Sequence, residues 1–464
     1  MPLGARRLRK SLRKSLQRSL ERNILKRALV PVLGLAASLS LISCGYSKSA
    51  NSLPDRLLAS QGVTSASDFG GLVIIDGYND TVPRLQRMST GNSPGLMAVS
   101  PSLNIAATFD SSSNSVFIVN TATESVAGSV RIPGPTSSMV FPTSDQIGYA
   151  AVPAATVTGY SFVGAVESMN FPASQLTTIA VTNAETVVSN SGGSELLVFS
   201  NDSDSMTVLF PANAVPPVDT TCLNTVPNQP VTASTACAVV TGFDRPVYAV
   251  VNGNTAYILN CGPQCGGVMA SVMVFDLPSL TVTNTIPVDA ATWALINGST
   301  LYVAGTSPTN NDCAGQMWGT PPQPTAATIC GRLDVIDLTS GTVSGSFKIT
   351  DGYHDRMDFN VIGQLFIGSH DCTNIGNVSF PNGEVRGCLS IYHTADNSVF
   401  IVPDNGDVNG LQGESIRPVE YVAQGGDLRV YDVTQDILLI NDFVPQGIVG
   451  IVGYVGDVKS IDLF

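Results

Sequence analysis

The feature that most constrains this chain is a recurring hairpin: an apolar strand, a polar turn rich in Asp, Asn, Ser and Thr, then a second apolar strand. It reads LVIIDGYNDTVPRL at 72–85, SVFIVNTATESVAGSV at 115–130, GYSFVGAVESMNF at 159–171 and LLVFSNDSDSMTVLF at 196–210. It returns as SVMVFDLPSLTVTNTI at 271–286, RLDVIDLTSGTVSGSF at 332–347, LSIYHTADNSVFIV at 389–402 and DLRVYDVTQDILLI at 427–440. Between these stands a second hairpin, clearest in VYAVVNGNTAYILN (247–260) and WALINGSTLYVAG (293–305). Its Asn252-Gly253 and Asn297-Gly298 pairs are expected to turn tightly, both residue types tolerating positive φ.

No helical stripe appears after residue 60, and Thr, Ser, Val and Gly dominate, so the chain reads as all-β. A repeat of about forty residues with four strands marks a β-propeller. With strands lettered a to d from the axis outward, the first hairpins are c–d pairs, and their count gives eight four-stranded blades. Weak third and seventh repeats leave seven as the alternative. The chain begins with a c–d hairpin at 72–90 and ends with an expected a–b pair, GIVGIVGYVGDVKSIDLF at 447–464, so the two ends are expected to complete one blade and close the ring. These units resemble the YVTN-type propeller repeat: LYVAG at 301–305 stands where that family has its Tyr-Val-Thr-Asn strand, and VIDLTSGTVSGSF at 335–347 matches the following hairpin. The resemblance covers residues 70–464 and implies a fold, not a function.

The N-terminal region follows a different logic. Ten Lys or Arg residues against one acid, Glu21, precede an uncharged apolar run from Ala28 to Ile42. That run is short for a membrane span, which needs about 20 residues, and suits the apolar core of a secretory signal. Leu8, Leu12, Leu16, Leu20 and Ile24 fall four apart and draw an apolar stripe on a basic helix, which would lie on an anionic membrane surface. Leu41-Ile42-Ser43-Cys44 resembles the lipobox of bacterial lipoproteins. The resemblance implies acylation of Cys44 (palmitate or similar chains), removal of residues 1–43, and a lipid anchor in the cell envelope. Gly45 after the cysteine implies the outer membrane. Residues 44–69 are then expected to form a flexible tether, and 70–464 the propeller.

Removing residues 1–43 leaves 13 Lys plus Arg against 35 Asp plus Glu. Such an acidic chain is no partner for nucleic acid, whose phosphates demand clustered cations. Eight cysteines remain, an even number in an exported chain, so four disulfides are the default. Sequential pairing (Cys222–Cys237, Cys261–Cys265, Cys313–Cys330, Cys372–Cys388) is one of 105 connectivities. It is favoured because each pair falls inside one local insertion between repeats. If all four insertions follow b or d strands, every pair lies on the same propeller face. That loop-rich face is the expected binding surface for a protein, peptide or glycan.

No nucleophile elbow, zinc-protease helix, haem attachment motif or phosphate loop is present. Trp293 and Trp318 are too few for a quinone-dependent propeller. The segment 404–414, DNGDVNGLQGE, carries Asn405, Asp407 and Asn409 like the first half of a calcium loop, but it lacks the leading Asp and has Ile416 at the twelfth position in place of Glu, and reads as a turn. The expectation is a non-catalytic binding or scaffold module without a cofactor. The alternative is a lactonase-like or other metal-assisted hydrolase at the axial mouth. Its candidate ligands for a divalent metal are His354, Asp355, His370 and Asp371, placed opposite one another if the hairpin at 353–372 turns near Ile362-Gly363. His393 falls toward the other face.

Overall fold

The computed structural model describes residues 53–63, 70–82, 87–211, 237–318, 323–324, 328–373, 387–403, 406–441 and 454–462. Over them the chain forms eight four-stranded antiparallel sheets, the blades of a β-propeller. Blade 1 joins the two ends of the chain: Tyr454–Ser460 is its strand a, followed outward by Arg56–Gly62, Gly71–Asp76 and Arg87–Met88. Blades 2 to 8 then follow in chain order, and their innermost strands are Pro94–Val99, Ser138–Val140, Ala184–Ser189, Pro246–Asn252, Trp293–Asn297, Tyr353–Phe359 and Val408–Gly413. The run at 404–414 is thus largely a strand, with Asp404 and Asn405 outside the described residues.

Strands b and c are rich in apolar residues because both their faces are buried between neighbouring blades. Gln364–His370 is buried at its first six positions, and Arg56–Gly62 at all seven. Side chains interlock blade to blade: Val116, Ile118, Ala150, Val152 and Met169 form one such layer between blades 2 and 3. Each fully buried Val, Ile or Met contributes about 1.5–3 kcal/mol. The a–b hairpins of blades 5 and 6 turn at Gly253-Asn254 and Gly298-Ser299, with Asn252 paired to Thr255 and Asn297 to Thr300. Only the glycines take positive φ, 61° and 60°. This is the arrangement of a turn with Gly at its first central position, and the preceding asparagines end the strands instead of entering the turn.

Three expectations need correction. The ring closes three strands to one, not two to two, because Arg56–Gly62 pairs with both Gly71–Asp76 and Tyr454–Ser460. Residues 56–62 therefore belong to the propeller and not to a tether. Leu57 and Ala59 pack on Val73, Tyr421, Val430 and Val458 in the seam between blades 8 and 1. Secondly, two hairpins are reassigned: 159–171 holds one strand only, the c strand Val163–Asn170 of blade 3, and 196–210 is the b–c hairpin of blade 4, Leu196–Ser200 with Ser205–Leu209, with Cys237–Thr241 as its d strand. Thirdly, the insertion before Cys237 follows a c strand and leaves on the face of the a–b turns. The disulfides Cys261–Cys265, Cys313–Cys330 and Cys372–Cys388 all follow b strands and share the other face. Cys237 is also disulfide-bonded, while Cys222 lies outside the described residues. Not every pair is on one face.

The seam is reinforced by polar contacts. Arg56 donates to both oxygens of Asp462 at 2.9 and 2.7 Å, and to Glu124 of blade 2 at 2.9 Å. On the a–b turn side, Arg417 and the Tyr421 hydroxyl both bond Asp80. Asp55 and Glu414 are buried beside them. Burial first, and then the neighbouring Asp55 carboxyl, raises the Glu414 pKa far above the usual carboxylate range.

Candidate functional site

Each d-to-a connection delivers the first residues of an inner strand to the loop-rich mouth of the axis. Ser137, Glu185, Arg245, Trp293 and Tyr353 all arrive this way, from blades 3, 4, 5, 6 and 7. Together they line a cavity of about 610 Å³, within the size range of small-molecule sites. Tyr248 and Trp293 stack with ring centroids 3.8 Å apart and an interplanar angle of 15°. The same two rings line a second cavity of about 550 Å³ toward the a–b turns, so the stack stands between the two.

The charges at this mouth are unevenly matched. Arg356 donates to the Asn409 carbonyl at 2.8 Å, the Asp355 carbonyl at 2.7 Å and the Asp355 carboxylate at 3.1 Å. Arg245 stands 3.7 Å from Asp204. Glu185 accepts from Ser137 Oγ at 2.9 Å and Asn201 Nδ2 at 2.8 Å, and among the described residues no cation pairs with it. Burial pushes the hydroxyl of Tyr353 up to about 12, with Asp355 and Glu185 adding to the shift. Burial does the same to Tyr248, opposed by Arg356. Both phenols stay protonated near neutral pH.

The Cys261–Cys265 loop forms part of the wall, with Cys265 against the cavity. Its Gln264 ties three blades together. Gln264 Oε1 accepts from the Thr306 N–H at 2.8 Å, and its Nε2 donates to the Gly352 carbonyl at 3.3 Å. The Thr306 hydroxyl donates to the same carbonyl at 2.8 Å. The CGPQC stretch thus serves as a brace.

The four expected metal ligands are brought together only in part. They lie on the a and b strands of blade 7, but a bulge at Asp355 shifts the register: Tyr353 pairs with His370, and His354 with Ser369. His354 is completely buried, its Nε2 3.0 Å from the Thr350 carbonyl, and burial lowers its pKa to about 4. Asp355 Oδ1 stands 3.1 Å from His370 Nε2, and Asp407 Oδ2 is 3.9 Å from His370 Nδ1. Asp371 is exposed and reaches Asp407 only through its backbone N–H, at 2.9 Å. Burial lowers the His370 pKa, but the hydrogen bond and charge of Asp355, with the charge of Asp407, together outweigh it and the net shift is upward. Among the described residues no three His, Cys, Asp or Glu side chains are grouped so that they could hold a metal ion. His393 pairs with Asp436 at 2.8 Å, away from this group.

Sequence reasoning missed Glu185, Tyr248, Arg245 and Tyr353. The available signal was position, since each stands at or near the start of an a strand. It is usable only once every blade is in phase.

No protein-family model matches the chain, and no curated protein matches it. Solved structures do. "Dihydro-heme d1 dehydrogenase NirN in complex with DHE" aligns over 88% of this chain and 75% of its own, at 10% identity and a TM-score of 0.54. "Crystal structure of the eukaryotic initiation factor" covers 88% of this chain and 98% of its own, at 11% identity and a TM-score of 0.50. The β-propeller domain of Cps50 (Swd1) from Myceliophteria thermophila covers 74% and 96%, at 8% identity and a TM-score of 0.47. At such identities the likeness is one of fold alone.

Proposed function

We propose that this chain is a lipid-anchored propeller of the bacterial cell envelope, of YVTN type, which binds a polar ligand in the cavity at its axial mouth without transforming it. The cavity carries the reading. An aromatic stack beside carboxylates, hydroxyls and an amide is a setting in which a glycan or short peptide finds an apolar face and hydrogen-bond partners. The anchor rests on the order of basic segment, apolar run and Leu41-Ile42-Ser43-Cys44 in the sequence, with Gly45 favouring the outer membrane. Hydrolysis is the weaker reading, because His354, one of the four expected metal ligands, is buried against the Thr350 carbonyl instead of facing the mouth beside His370.

End-labelled glycan and peptide fragments from digested cell walls test the reading. Wild-type protein should retain a subset of them, release them with unchanged mass, and lose that retention on Trp293→Leu. Shortened fragments would instead identify a hydrolase. Retention indifferent to Trp293→Leu would put the site elsewhere.

A further inference from the structure

We propose that the axial-mouth cavity recognises an ammonium group, held between the Glu185 carboxylate and the aromatic rings of Trp293, Tyr248 and Tyr353. This rests on the cavity being the ligand site and adds the chemistry it selects. Five charged side chains line the cavity: Glu185, Asp202, Asp355, Arg245 and Arg356. Both arginines are already opposed by carboxylates. Arg356 is bonded to Asp355, and Arg245 faces Asp204. Behind Asp355 stand Asp407, a further carboxylate, and His370, whose ring is a cation only when protonated. Among the described residues neither Glu185 nor Asp202 is paired with a cation; Asp202 is exposed, whereas Glu185 is half-buried and has only neutral donors, the Ser137 hydroxyl and the Asn201 amide.

A neutral ligand would satisfy hydrogen bonds at Glu185 but leave its charge uncompensated in a partly desolvated site. An ammonium satisfies both requirements. Aromatic rings also favour a cation over their faces, increasingly so where water is excluded. Asp355 and Glu185, after burial, both hinder ionisation of the Tyr353 hydroxyl, so both carboxylates act on a ring that would face the ammonium. The group can come from two sources, an amino sugar or the free amine of a peptide.

Two probe pairs in which a hydroxyl replaces the ammonium separate these sources: glucosamine against glucose, and alaninamide against lactamide. Binding is read from the fluorescence of Trp293 in a Trp318→Phe background, which leaves a single indole. The measurements are made at mildly acidic pH, where both amines are protonated. At least one amine should bind ten-fold or more tighter than its hydroxyl partner, a preference of about 1.4 kcal/mol or more, and that pair identifies the source. Glu185→Gln should abolish the preference, and added salt should weaken it. If the hydroxyl members bind as tightly as the amines, the ammonium inference is wrong while the cavity stands. If neither amine binds, the inference is also wrong. The comparison on unmutated Glu185 needs no variant at the site to fold.

Discussion

His354 and His370 stand at the same end of paired strands of one hairpin, in adjacent pairs, so their side chains leave on opposite faces of the sheet. His354 is sealed against the Thr350 carbonyl, whereas His370 faces Asp355 at 3.1 Å. The bulge at Asp355 separates them by changing which residues face the mouth.

The two rings should therefore titrate in opposite directions from the usual histidine value of about 6.5. His354, with a pKa near 4, contributes stability present above pH 6.5 that is lost as the pH falls toward 4. His370, shifted up, contributes stability present below about 6.5 and lost as the pH rises through its folded pKa. NMR titration of both rings checks this, and Asp355→Asn should move the His370 midpoint down. An upward shift of His354 would contradict its burial.

Removing the Gln264 side chain should loosen the brace without unfolding the ring. In Gln264→Ala the Thr306 amide loses its acceptor and should exchange with solvent about ten-fold faster, as expected for a hydrogen bond worth about 1–1.5 kcal/mol. Amide exchange resolved at Thr306 is the measurement, and an unchanged rate would show that the loop holds itself.

Deleting residues 54–62 should abolish cooperative thermal unfolding, since it removes the strand that joins both ends of blade 1. Arg56→Ala should cost about 3 kcal/mol, the low end for breaking a buried ion pair, because its side chain retains 11% exposure. Arg56→Lys should recover little, lacking the fork that grips both oxygens of Asp462. A tether would tolerate all three changes.

Most of the fold was legible because hairpins such as Trp293–Gly305 pair an apolar period with a glycine that fixes the turn. The polar turn Asn201–Ser205 carries no mark distinguishing a b–c from a c–d hairpin. The long insertion before Cys237 then put blade 4 out of phase. Arg56–Gly62 has no turn partner nearby and is a strand only because the far end of the chain pairs with it. The bulge at Asp355 shifts a register that residue counting treats as uniform. Glu185 belongs to no motif, and only ring closure brings it opposite Tyr353.

Cys44 should carry lipid, and residues 1–43 should be missing from the exported protein. Metabolic labelling with a clickable fatty acid, read with N-terminal peptide mass spectrometry, tests both. Cys44→Ser should abolish the label and release the chain from membranes, while membrane-bound material that keeps residue 30 would contradict the anchor.

Amide hydrogen exchange across the whole chain, with and without the cell-wall fragments that it retains, tests the central claim most directly. Ligand at the axial mouth should slow exchange where inner strands begin, at Glu185, Tyr248, Trp293 and Tyr353. Protection confined to the opposite turns, at Gly253, Gly298 and Gly363, would place the site on the other face and contradict the account.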